Sequence, residues 1–76
     1  MIRELDTVVL THDIDEHDLK AGDIGAVVHC YRDTEAYEVE FVTAEGRTVA
    51  LLTLTHADIR PMSDREILHV RELVPA

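Results

Sequence analysis

Leu19-Lys20-Ala21-Gly22-Asp23-Ile24-Gly25-Ala26-Val27-Val28 places two glycines directly ahead of an apolar run. Glycine has no Cβ to obstruct a backbone that needs φ > 0. Gly22 and Gly25 therefore read as a tight turn delivering the chain into a strand, after a long polar loop over Thr11–Asp23. The strand is Ile24–Tyr31. It is apolar on both faces, with Ile24, Ala26, Val28 and Cys30 on one and Val27 and Tyr31 on the other, as a bent strand shared by two layers requires.

Before the loop, the β-branched run Thr7–Leu10 reads as a first strand. After Tyr31, Arg32-Asp33-Thr34-Glu35 has turn composition. Tyr37, Val39 and Phe41 then alternate with Glu38 and Glu40, which puts large side chains inward and carboxylates outward. Ala44-Glu45-Gly46-Arg47 forms the next turn, with Gly46 suited to a left-handed position. Thr48–Leu54 is a fourth strand, Thr55–Asp58 a single helical turn, and Ile59–Pro61 a short fifth strand that its proline confines to an edge. Short strands in this order, with a long first loop ending in a glycine turn, predict a mainly β, five-stranded SH3-like barrel over residues 1–62. Its expected core includes Val8, Leu10, Val28, Val39, Phe41 and Leu51.

Residues 63–76 follow a different period. Ser63 and Glu66 have the spacing of a capping box, with Asp64 near the positive end of a helix dipole. Ile67, Val70, Leu73 and Val74 share one side at helical spacing, and Pro75 lies beyond the end. The pattern predicts a C-terminal amphipathic α-helix packed on the barrel, on a second copy or on another protein. The whole is a single domain.

The chain has 76 residues, no tryptophan and one cysteine; 16 acidic side chains against 7 Lys and Arg give a formal net charge of -9. Its cations are scattered, whereas phosphate contacts need them clustered. Direct nucleic-acid binding and anionic membrane surfaces are therefore not expected, and a basic protein partner is the natural complement. Cys30, within an apolar run, reads as a small buried hydrophobe. Met1–Asp6 carries acids and no apolar core, so no signal peptide is expected and the expectation is a cytoplasmic protein.

In His12-Asp13-Ile14-Asp15-Glu16-His17-Asp18, His17 and Asp18 occupy the places where a calcium loop that begins with alternating acids needs Asn or Asp and then Gly, and a flexible loop does not fix zinc geometry. It reads as a solvated acidic loop. His29 and Cys30, as strand neighbours, point to opposite faces and make no nucleophile–base pair. Catalytic, metal and cofactor residues are accordingly expected to be none.

Glu4–Leu10, Leu19–Gly25, Ala36–Phe41, Asp58–Pro61 and Ile67–Leu73 resemble the recurrent blocks of the small bacterial proteins grouped as domain-of-unknown-function family 4926. Asp18 stands where that family usually carries a glycine. The resemblance implies an SH3-like barrel, no known catalytic residues, and an arrangement similar to toxin–antitoxin gene pairs. The expected function is thus a non-catalytic protein-binding module, antitoxin-like, that holds a cognate protein. Ile67, Val70, Leu73 and Val74 would supply affinity, while Asp13, Asp15, Glu16 and Asp18 would steer a basic partner. A homodimer is the alternative use of the helix. An accessory SH3-like or KOW-like adaptor of a larger nucleic-acid or enzyme complex is the alternative function.

Overall fold

The computed structural model describes residues 2–73. They form one antiparallel sheet of five strands: β1 (Thr7–Leu10), β2 (Ile24–Tyr31), β3 (Ala36–Val42), β4 (Thr48–Leu54) and β5 (Ile59–Pro61). The order across the sheet is β4-β3-β2-β1-β5, so β4 and β5 are its two edges and the sheet is open. All five strands nevertheless feed one buried cluster: Val8 and Leu10 from β1, Val27 from β2, Tyr37, Val39 and Phe41 from β3, Ala50 and Leu54 from β4, and Ile59 from β5. Ile2 and Leu19, from the segments flanking β1, join the same cluster.

The turn over Lys20–Asp23 is closed from the Asp23 amide to the Lys20 carbonyl at 2.9 Å, with Gly22 at φ +95°. The Asp23 carboxylate accepts the Lys20 N–H at 2.8 Å, and the Gly22 amide donates to the Leu10 carbonyl at 2.8 Å. The long loop is thus pinned to the end of β1. Gly46 also takes positive φ, at +88°. Gly25 does not serve the turn. A Cβ there would lie 2.6 Å from Val39 Cγ1 and 2.9 Å from Phe41 Cε1, so β2 needs glycine for close approach to β3. Asp18 adopts the left-handed conformation, φ 57°; short polar side chains tolerate that region.

Two expected core residues lie outside it. Val28 and Leu51 are exposed, whereas Val27 is fully buried. The cause in β2 is a register shift between Val27 and His29. A bulge of this kind resets the inward–outward alternation, so Gly25 and Val27 face inward before it and Cys30 packs against the core after it. In β4 the inward set is Ala50, Leu52 and Leu54, and Leu51 faces outward opposite Glu40.

The C-terminal α-helix is absent over the described part of its range. Residues 63–73 contain one turn at Asp64–Arg65 and otherwise irregular chain; Val74, Pro75 and Ala76 lie outside the described residues. The capping contacts do form: Ser63 N–H donates to Glu66 Oε1 at 2.7 Å, and Arg65 N–H to Ser63 Oγ at 3.2 Å. They do not propagate, because Ile67 is 93 % exposed and Val70 88 %. Ordering each residue costs about 1–2 kcal/mol, and an uncovered apolar face returns nothing against it.

Three substitutions test this packing by urea denaturation. Gly25→Ala is expected to lose about 1–3 kcal/mol through overpacking, and Val27→Ala a comparable amount through a cavity. Val28→Ala is expected to stay within about 0.5 kcal/mol. Equal losses at positions 27 and 28 would contradict the bulge.

Candidate functional site

The expected binding residues fall into two groups, the loop acids and the C-terminal segment, and an arginine joins them. Arg71 Nε donates to Asp23 Oδ1 at 2.8 Å, and its Nη2 donates to Asp23 Oδ2 at 2.5 Å and to the Asp18 carbonyl at 2.8 Å. A guanidinium fork on a carboxylate is the strongest ordinary ion-pair geometry. Burial raises the Asp23 pKa, but the Arg71 hydrogen bonds and the Lys20 N–H outweigh it and hold the carboxyl below its ordinary value. Nearer β5, Arg60 Nη1 and Nη2 donate to the Glu66 oxygens at 2.9 and 2.6 Å. The Arg60 hydrogen bonds, then the Ser63 N–H, lower the Glu66 pKa to about 2.

Residues 63–73 are therefore a strap tied down at Glu66 and at Arg71. Its His69–Leu73 part runs beside Leu19, Ile24, Phe41, Val42 and Val49, bounding an open cleft of about 480 Å³. Leu73 is partly covered there, at 37 % exposure, while Ile67, Leu68 and Val70 face outward. Arg71 is the residue that the sequence reading passed over. Its signal was present only in combination, as a cation in an apolar segment and an aspartate in a glycine turn, 48 positions apart.

The loop acids are partly used within the molecule. Asp13 Oδ1 accepts the Ala21 N–H at 2.9 Å. Lys20 Nζ lies 3.8 Å from Asp13 and 3.7 Å from Asp15. Glu16, in the single 3-10 turn Asp15–His17, is exposed, as is Asp18. His12 ties this loop to the turn before β5: its Nε2 lies 2.7 Å from Asp58 Oδ1 and its Nδ1 2.9 Å from the Asp13 carbonyl. Both neighbours are acceptors, so the ring satisfies them together only as the imidazolium. The Asp58 hydrogen bond, then the Asp13 carbonyl, raises the His12 pKa.

Of the remaining chemistry-bearing residues, His29 faces solvent on the bulge and Cys30 is half-buried. The Tyr37 hydroxyl lies 2.9 Å from His56 Nε2. Among the described residues no group of three or more His, Cys, Asp or Glu is arranged to hold a metal ion. No helix among them is long and apolar enough to cross a membrane.

Residues 4–61 match the family described as domain of unknown function (DUF4926). That is well over half of the chain. The chain belongs to this family. No curated protein and no solved structure matches it.

The two tethers and the histidine clasp respond to pH with opposite signs. Asp23 and Glu66 have lowered folded pKa values, so the strap's anchorage is complete above their ordinary values. It is lost on acidification, for Glu66 between 4.5 and about 2. His12 has a raised value, so its contribution is complete below 6.5 and is lost as pH rises through the raised folded value. Measured against its intrinsic rate at each pH, hydrogen exchange of the Glu66 amide, which donates to the Ser63 carbonyl, should lose protection below pH 4, and Arg60→Gln should cause the same loss at neutral pH. Unchanged exchange in both cases would contradict the tether.

Proposed function

We propose that this protein is a non-catalytic protein-binding module, antitoxin-like in action, which holds a basic cognate protein through the segment that follows β5. The observation that carries the reading is the state of residues 63–73. A sequence with helical apolar spacing is tied to the sheet at both ends while Ile67 and Val70 stand almost fully in solvent. Such a segment gains its missing contacts when a partner's groove covers the apolar side, and it then closes into the helix that its spacing encodes. The net charge of -9 supports a basic partner by speeding encounter. Asp15, Glu16 and Asp18 are exposed and available for that steering.

The strand order β4-β3-β2-β1-β5, with a long first loop and a short last strand beside the first, supports an SH3-like reading of the sheet. The accessory-adaptor function draws on the same likeness. It places contacts on the sheet and leaves the C-terminal segment as a covering piece.

Recovery of the tagged protein from its native host, with identification of what co-purifies, supplies the partner. Ile67→Asp with Val70→Asp should leave the urea midpoint unchanged, since neither side chain is buried, and weaken the purified complex at least about tenfold. Helical circular dichroism should rise on complex formation. A complex indifferent to both substitutions, formed without a gain in helix, would overturn this reading and favour the adaptor.

A further inference from the structure

The two edges of the sheet are built differently. β5 is three residues long and ends in Pro61, which blunts it. β4 has seven residues, Thr48-Val49-Ala50-Leu51-Leu52-Thr53-Leu54, with no charge, proline or glycine. Among the described residues it pairs only with β3, so alternate residues turn their N–H and C=O groups away from the sheet. Among the described residues no other segment makes a hydrogen bond to the backbone of Thr48–Leu54. An uncharged edge of this length is a ready template for another strand.

Carboxylates from the neighbouring strand are drawn onto that edge. Thr53 Oγ1 donates to Glu38 Oε1 at 2.6 Å, and Thr48 Oγ1 donates to Glu40 Oε2 at 2.7 Å. Outward-facing Leu51 lies opposite Glu40 in the register. Towards the end of β4, the acidic loop His12–His17 faces Leu52–Leu54 across a cleft of about 360 Å³. Lys20 balances part of that loop. Arg47 precedes the other end of β4, so the negative charge concentrates towards Leu51 and Thr53.

We propose that the free edge of β4 is a docking strand for an extended, lysine- or arginine-rich segment of a partner protein. The segment adds to the sheet through main-chain hydrogen bonds and sets its basic side chains beside Glu38, Glu40 and the loop acids. A second copy of this chain does not fit the same edge. Antiparallel β4–β4 pairing would line the Glu38 and Glu40 carboxylates of both copies along one seam, between molecules that each carry -9. The borrowed carboxylates thus reject the chain's own edge and select a cationic strand. The inference rests on the protein-binding reading for the class of partner, and its surface is independent of the 63–73 segment.

The test titrates the full chain with a blocked heptapeptide of alternating lysine and valine, read by amide shifts and hydrogen exchange across Thr48–Leu54. Protection of the outward β4 amides is expected, with affinity that falls as salt rises. Glu38→Gln with Glu40→Gln, which keeps the threonine hydrogen bonds, should weaken binding about tenfold. A glutamate–valine peptide should not bind, nor should the lysine peptide N-methylated at alternate amides. Equal binding of the N-methylated peptide, shifts confined to residues 63–73, or no β4 protection at all would overturn the proposal. Ile67→Asp with Val70→Asp must leave peptide binding intact, so a failed edge and a failed C-terminal segment give different results.

Discussion

The close passage of β2 over β3 at Gly25 is the contact on which the rest of the fold depends. Val39 Cγ1 and Phe41 Cε1 occupy the space that any larger residue would claim. Only because β2 comes this near can a single sheet draw side chains from all five strands into one cluster. The core is mostly Val, Leu and Ile, with Tyr37, Phe41 and Ala50, and no charged residue is buried among the described residues. A domain this small has little burial to spare, so the loss of side-chain volume at Gly25 is offset by the packing that it permits around Val27, Val39 and Phe41.

Cations are scarce in this chain, and three of them are spent inside the molecule. Arg71 fastens the C-terminal segment to the glycine turn, Arg60 fastens its start, and Lys20 steadies the acidic loop. Exposed ion pairs contribute little each. Forked arginine geometry places these two above that median, and the strap has no buried apolar anchor to replace them. The surplus acid is left facing outward on the loop and beside β4. The outward field is therefore more uniformly negative than the scattered cations of the composition alone indicate.

The succession of five strands along the chain, the inward set Tyr37, Val39 and Phe41, the turn at Gly22 and the short edge strand with Pro61 were legible in the sequence, because each rests on a local period or a single backbone constraint. The phase of β2 was not. Ile24–Tyr31 is apolar at nearly every position, so nothing in its pattern says that a bulge after Val27 sends Val28 outward and Cys30 inward. Leu51 and Leu52 pose the same ambiguity in β4. The helix expected over 63–76 is absent over residues 63–73 for a different reason. Ser63 and Glu66 carry the correct capping signal and make its contacts, but that signal is worth about 1 kcal/mol, while propagation needs a surface against Ile67 and Val70 that this chain does not provide. Of the candidate site, the acids and the apolar residues were readable. The Arg71–Asp23 tether joining them depends on the tertiary path.

The exposed C-terminal segment and the open edge of β4 express one condition: the fold ends before all its capacity for contact is used. On the strap the unused capacity is apolar, and the ion pairs at Glu66 and Arg71 hold the segment in place while Ile67 and Val70 stay uncovered. On β4 it is main-chain hydrogen bonding, with the Glu40 and Glu38 carboxylates drawn alongside by Thr48 and Thr53. In both places charged side chains border the unused capacity: Glu66 and Arg71 flank the exposed Ile67 and Val70, and Glu38 and Glu40 lie along the open edge.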